Sequence, residues 1–333
     1  MALFFIGIMS LLGMVAIILK VGGSTGRKLI SKHDELYQLP LGSLPGPQGA
    51  PVRRVTRADM SAPVAVRFEP PTGVLPEQVG MLTRGEPQSS DIAAAMIALA
   101  VEGYVRITPV VRTTRVLRRR HKDWELTALR PVDDSLNPLR AELLQMLFSV
   151  GRPTQLSWLK TSLSSRASDM KRDLARWPQH ELWFPHLHGG RVPLSKCLTT
   201  PGLRRRTALG AALRYQNAGF KHFLETADGN RLRFEEGAGW FSRYLPWAVA
   251  LGVTREWVAA FREAAEGLDG STGDVWAADL AWYGDMDGFD FSGFDSFGDA
   301  LDSLEDGLND LASDLSDAGG DGGGDGGDGG GGD

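Results

Sequence analysis

A single cysteine, Cys197, stands in 333 residues. No disulfide can form within the chain, so a disulfide-stapled secreted scaffold and every cysteine-rich zinc module are excluded. The fold must rest on apolar burial, for which 42% hydrophobic residues and a length sufficient for roughly two domains are adequate. Basic residues are missing from one region entirely: residues 271–333 hold 17 of the 41 acidic residues and no Lys or Arg. Residues 1–270 then carry 36 basic against 24 acidic residues, so the formal net charge of −5 conceals a body of +12 and a tail of −17. Long apolar runs are also scarce. Residues 2–19 form the one such run, eighteen residues without a charge, and the next, residues 245–253, contains Pro246 and is too short to span a bilayer.

At ~1.5 Å per residue a helix over 2–19 is ~27 Å long, against a hydrocarbon core of ~30 Å. The run is predicted to be a transmembrane anchor occupying residues 1–20, with the lipid bilayer as its partner. No Lys or Arg precedes it, whereas Lys20, Arg27, Lys28 and Lys32 follow. Positive-inside bias then places the N-terminus outside and the rest in the cytoplasm, as a single-pass protein of a bacterial inner or plasma membrane. Two alternatives stay open: cleavage near Val21-Gly22-Gly23, and burial of the run as a core helix.

Residues 21–75 are rich in Pro and Gly and read as a mostly extended linker, in which Val64, Val66 and Phe68 alternate as one short strand. An α+β region is expected over 76–190. Ser90 and Asp91 supply helix caps, Ile92, Met96, Leu99 and Ala100 recur at helical spacing, and Gly103 stops the helix. Period-two patterns follow at Tyr104, Val105 and Ile107, at Val116 and Leu117, and at Trp124, Leu126 and Leu129. Helix then hairpin is the outline of a winged helix. Another helix starts at Asn137-Pro138 and aligns Leu139, Leu143, Leu144, Leu147 and Phe148. Leu156, Leu159, Leu163, Met170, Leu174 and Trp177 mark a helical pair, followed by Leu182, Trp183 and Phe184, which fits a second winged-helix-like unit or one extended domain. Residues 200–268 read as a helical unit with two apolar stripes, whose aromatics Trp240, Tyr244, Trp247 and Trp257 are expected in the core.

Chemical motifs are sparse. His180-Glu181 lacks the second His that a zincin helix needs four residues on, because position 184 is Phe184. His186, His188 and Cys197 are a weak metal cluster beside the simpler reading of a solvated loop. Gly237 and Gly239 fail as a dinucleotide loop, and no phosphate loop or nucleophile elbow occurs. Asp285, Asp287 and Asp290 miss the EF-hand spacing. No catalytic, cofactor-binding or metal-binding residue is predicted, and the chain is not expected to be an enzyme; one built from scattered residues is the alternative.

Two charged features remain. Arg112, Arg115, Arg118, Arg119, Arg120 and Lys122 fall where a winged helix carries its wing. A solvated hairpin, anionic lipid head groups or the acidic tail, and nucleic acid all suit such a patch. Nucleic acid is the weakest of these, because the helix over 91–102 offers Ala, Ile and Met to a groove. The tail places Phe294, Phe297, Leu301, Leu304, Leu308, Leu311 and Leu315 at alternating spacings of three and four, one apolar seam among carboxylates. Asp is a poor helix former and its like charges repel, so the seam is expected to dock onto the body or onto a protein partner. The Gly/Asp run beyond Ala318 reads as disordered.

The segment Asp91-Ile-Ala-Ala-Ala-Met-Ile-Ala-Leu-Ala-Val-Glu-Gly-Tyr104, together with Pro70-Pro71, Pro76-Glu77, Gly80, Arg206-Thr-Ala-Leu-Gly210, Gly219-Phe-Lys221, Phe223-Leu-Glu225 and Phe241-Ser-Arg-Tyr-Leu-Pro-Trp-Ala-Val-Ala-Leu-Gly-Val253 with Trp257 and Phe261, resembles the predicted membrane protein family DUF2207 over residues 70–267. The resemblance implies a cytoplasmic region behind a membrane span and a Gly-rich C-terminus. It carries no biochemical activity. Relative to that pattern the chain reads as a short form, without the N-terminal extracytoplasmic β domain and with the polar stretch 185–201 where a further pair of spans is expected. The function expected is an interaction or assembly role at the inner membrane face, with a membrane-tethered DNA-binding regulator as the alternative.

Overall fold

The computed structural model describes residues 29–113, 120–149, 153–156, 167–185, 205–227, 239–266 and 279–284. The apolar run 2–19, residues 114–119, His186, His188 and Cys197, and the tail seam lie outside them. Helices and two small sheets make a mixed α+β body. β1 (Glu35–Tyr37) and β2 (Val52–Arg54) pair antiparallel, with Leu36 opposite Arg53. A 3-10 turn, Pro76–Gln78, leads into α1 (Val79–Arg84) and α2 (Ser89–Val101). β3 (Val105–Thr113), β4 (Arg120–Ala128) and the two-residue β5 (Thr154–Gln155) form the second sheet in that order. α3 (Pro138–Ser149) precedes β5; α4 (Ala167–Ala175), α5 (Pro178–Trp183), α6 (Ala208–Thr226), α7 (Trp240–Leu251) and α8 (Thr254–Glu266) come after it.

α2 is apolar all round, and every residue from Asp91 to Ala100 is buried. A helix of that composition belongs in a core. Its alanines at 93, 94, 95, 98 and 100 let α7 pack closely against it. Gly103 takes a positive φ of 77°, and the bonds Gly103 N–H to Ala100 O and Tyr104 N–H to Leu99 O close the helix as a Schellman motif. At the other end Gln88 is the cap residue. Asp91 sits in the first turn, and its carboxylate accepts from the amides of Gln88 at 2.6 Å and Gly80 at 2.9 Å. The sequence expectation that Ser90 and Asp91 occupy the cap itself is therefore shifted inward by one turn.

One contiguous apolar core contains residues of α2, β3, β4 and α3 together with Phe220, Tyr244, Trp257 and Phe261 of α6, α7 and α8. The aromatics interlock edge to face: Phe220 on Tyr244 at 5.1 Å, Trp257 on Phe261 at 4.8 Å. Tyr244, Trp247 and Trp257 are buried, and Trp240 is partly buried against the same core. Trp282 and Tyr283 enter it from the far end of the chain.

Residues 29–75 lie against α6. Ile30 and Leu36 pack on Ala211 and Tyr215, the amide of Arg206 donates to Asp34, and Gln216 donates to Gly42 O at 2.7 Å. Val64, Val66 and Phe68, expected as a strand, lie in no strand, and Phe68 stands at a bend; the segment is held to α6 instead, where Arg67 N–H donates to Gly219 O at 3.1 Å. A Cβ on Gly219 would lie 2.2 Å from Ala65 O, so glycine is what lets the segment approach the helix.

Candidate functional site

A cleft of about 670 Å³ opens between the C-terminal end of α2, the start of α3 and the first half of α7. Leu75, Val101, Pro246 and Trp247 make its apolar wall; Glu102, Arg140, Arg243 and Asp279 bring charge to it. Arg140 reaches the cleft because Asn137 caps α3, its Oδ1 accepting from the Arg140 amide at 3.0 Å, with Pro138 in the first turn. The guanidinium grips Glu77 with two donors, Nε to Oε1 at 2.7 Å and Nη2 to Oε2 at 2.9 Å. Its Nη1 donates to Glu102 at 2.5 Å, and Asn137 adds a third bond to Glu77. Glu77 is fully enclosed while Glu102 is 46% exposed at the cleft mouth. The two carboxylates hold Arg140 above its ordinary range despite burial, which opposes them. The triad carries one net negative charge and leaves its exposed end, Glu102, facing solvent.

Asp279 enters from a distant stretch of chain and caps α7. Gly239 at the N-cap has no side chain to do so, and the Ser242 amide donates instead to Asp279 Oδ2 at 3.3 Å. Ser242 Oγ donates to Asp279 O and accepts from the Trp282 indole, both at 2.7 Å. Burial raises the Asp279 carboxyl above its usual range, against the hydrogen bonds that lower it. Arg243 stands exposed at the rim with its guanidinium 5.6 Å from the Tyr244 ring centre.

Two further polar groups are buried away from the cleft lining. His180 Nε2 lies 3.2 Å from the Gln78 amide nitrogen, which can only donate, so the ring proton resides on Nδ1, 3.5 Å from Ala175 O. Burial lowers its pKa to about 4. Burial pushes Asp91 up to about 8, outweighing its two backbone donors. Among the described residues no group of His, Cys, Asp or Glu is arranged to hold a metal ion.

The residues singled out in the sequence lie elsewhere. Arg112 stands opposite His121, Arg120 opposite Thr113 and Lys122 opposite Val111, all at the distal end of the β3–β4 pair. Arg115, Arg118 and Arg119 fall outside the described residues, as do Phe294, Phe297, Leu301, Leu304, Leu308, Leu311 and Leu315. β5 touches β4 only at Glu125 and Leu126, so the distal strands form a two-stranded ribbon among the described residues. The Glu77–Arg140–Glu102 triad and the Asp279 cap carried no sequence signal, since their members lie tens of residues apart and form no spaced motif.

The family model "Predicted membrane protein (DUF2207) C-terminal domain" matches residues 65–184 and 192–261. No curated protein and no solved structure matches the chain.

Proposed function

The chain belongs to the DUF2207 family of predicted membrane proteins, and from that premise we propose that it is an interaction or assembly module working at the inner face of a membrane, anchored by a single span over 2–19. One observation carries the reading: the distal β3–β4 pair extends beyond the third strand as a ribbon, and residues 112–122 hold six Lys or Arg and no Asp or Glu. Cations presented on such a ribbon meet anionic head groups without any preformed pocket, at ~1 kcal/mol for each residue near the surface. The acidic tail, through its seam, is the surface for a protein partner.

The test uses the full chain in neutral phosphatidylcholine nanodiscs, mixed at low salt with phosphatidylglycerol vesicles. Wild type is expected to bind them, and Arg118→Ala/Arg119→Ala/Arg120→Ala to lose most of that binding. Equal binding to anionic and neutral vesicles would overturn the reading. A salt-dependent shift of duplex DNA abolished by the same triple variant would favour a tethered nucleic-acid reader. The order of helix α2 and hairpin β3–β4 matches the outline of a winged helix, but α2 is enclosed from Asp91 to Ala100 and has no face to offer a groove. The ribbon alone would have to carry that contact.

A further inference from the structure

We propose that the cleft between α2 and α7 binds a short apolar peptide with free termini, its ammonium on Glu102 and its carboxylate on Arg243. The site is independent of the ribbon and of the proposed span. Two helices build it. α7 packs along α2, and Ser90 Oγ at the start of α2 lies 3.5 Å from Ala250 O near the end of α7, so the pair runs antiparallel. The C-terminal end of α2 therefore meets the first half of α7, and both line the cleft. Its volume of about 670 Å³ suits a small molecule, and Val101, Pro246 and Trp247, with Leu75 37% exposed beside them, give it an apolar wall.

Four charged residues reach the lining, and two are already engaged. Arg140 is held by Glu77 and Glu102. Asp279 accepts from the Ser242 amide and so occupies the N-terminus of α7, where a ligand carboxylate would otherwise bind. Glu102 and Arg243 are left. Glu102 gives Oε1 to Arg140, and among the described residues its Oε2 accepts no hydrogen bond. Arg243 is exposed and forms no ion pair among the described residues; its guanidinium has the Tyr244 ring 5.6 Å away. One free carboxylate oxygen and one free guanidinium fork suit a guest that carries both an ammonium and a carboxylate. A guest of single charge would pair with one of them and be repelled by the other. Twelve residues separate Ser90 from Glu102 and seven separate Ala250 from Arg243, so the two charges stand about five residues apart along the helix axes, ~7 Å at ~1.5 Å per residue. Two residues of extended peptide span that distance at ~3.3–3.6 Å each, whereas a free amino acid carries both charges on one Cα. The apolar wall takes the side chains between the two ends.

Full-length protein in neutral phosphatidylcholine nanodiscs is titrated calorimetrically with the dipeptide Leu-Leu, against empty nanodiscs as the blank. Saturation at one peptide per chain is expected. Blocking either end of the peptide, by N-acetylation or by C-terminal amidation, should weaken binding roughly tenfold or more, the scale of a charged hydrogen bond. Leucine alone should bind more weakly than Leu-Leu. Each residue is then assigned to one end by its own variant. Glu102→Gln should lose affinity for Leu-Leu and cease to distinguish it from the acetylated peptide, while Arg243→Gln should cease to distinguish it from the amide. Absence of saturable binding, equal binding of leucine or of a blocked peptide, or wild-type discrimination in either variant would overturn the proposal. Arg243→Gln alters an exposed side chain outside every ion pair among the described residues, so it is expected to keep the wild-type melting temperature. It decides the matter if Glu102→Gln, which also loosens Arg140, fails to fold.

Discussion

Arg140 is 7% exposed and Glu77 not at all, so removing one partner strands a charge where water cannot reach it. Arg140→Met is expected to cost ~3–5 kcal/mol of stability, read from urea denaturation of the full chain. Glu77→Leu/Arg140→Met should recover most of the loss, because it removes the stranded charge with its partner. A single-variant loss of only ~0–1 kcal/mol would mean that the pair is solvated like a surface one. His180 gives a second test, through pH. Its folded pKa of about 4 lies below the ordinary 6.5, so between those values the unfolded chain binds more protons than the folded one. The stability that neutral His180 contributes is complete above about 6.5 and is lost as pH falls toward about 4. Asp91 runs the other way: its pKa of about 8 lies above the ordinary 3.8, and its contribution is lost as pH rises between them. His180→Gln removes the first slope and leaves the second. The variant should therefore lose less stability than wild type between pH ~6.5 and ~4.5; equal losses would mean that His180 does not titrate with unfolding.

At the scale of the element, local patterns are legible in the sequence and long-range partners are not. The stripe of Ile92, Met96 and Leu99 with its stop at Gly103 marks α2 closely, as does Asn137-Pro138 the start of α3. What periodicity hides is the burial of the opposite face: Ala93, Ala94 and Ala95 suit a surface as well as a core, and all three are buried because several elements, α7 among them, enclose the helix. The alternation Val64, Val66, Phe68 points to a strand that does not form: the segment's partner is a helix, recruited through a glycine about 150 residues away whose missing side chain makes room. The cleft was illegible for the same reason. Arg140 lies 63 residues from Glu77 and 38 from Glu102, so each looks like an ordinary surface charge until the fold joins them. Asp279 is one acidic residue among many in its stretch, and its role depends on Gly239 having no side chain to cap α7.

For the molecule as a whole, the proposed attachment to the membrane rests on the apolar run over residues 2–19. No helix among the described residues is long and apolar enough to cross a bilayer, whereas the family is one of predicted membrane proteins. Among the described residues the body has an aromatic core of its own, so the proposed span can be perturbed by substitutions outside that core. An Arg at the centre of a spanning helix costs ~2.5–3.5 kcal/mol on the insertion scale, so two of them should defeat insertion. Full-length protein is expected to stay in the membrane pellet after alkaline carbonate extraction, and Ile8→Arg/Leu12→Arg to move to the supernatant. Release of the wild type would remove the span. Retention of both would move the attachment to another part of the chain, the basic ribbon first, and lowering the anionic lipid content would then release the protein. In the proposed topology, Lys20, Arg27, Lys28 and Lys32 after the run, with no basic residue before it, put the N-terminus outside. A tag at the C-terminus should resist protease added to intact spheroplasts and become sensitive when they are lysed, because the charges that set the topology stay on the cytoplasmic side.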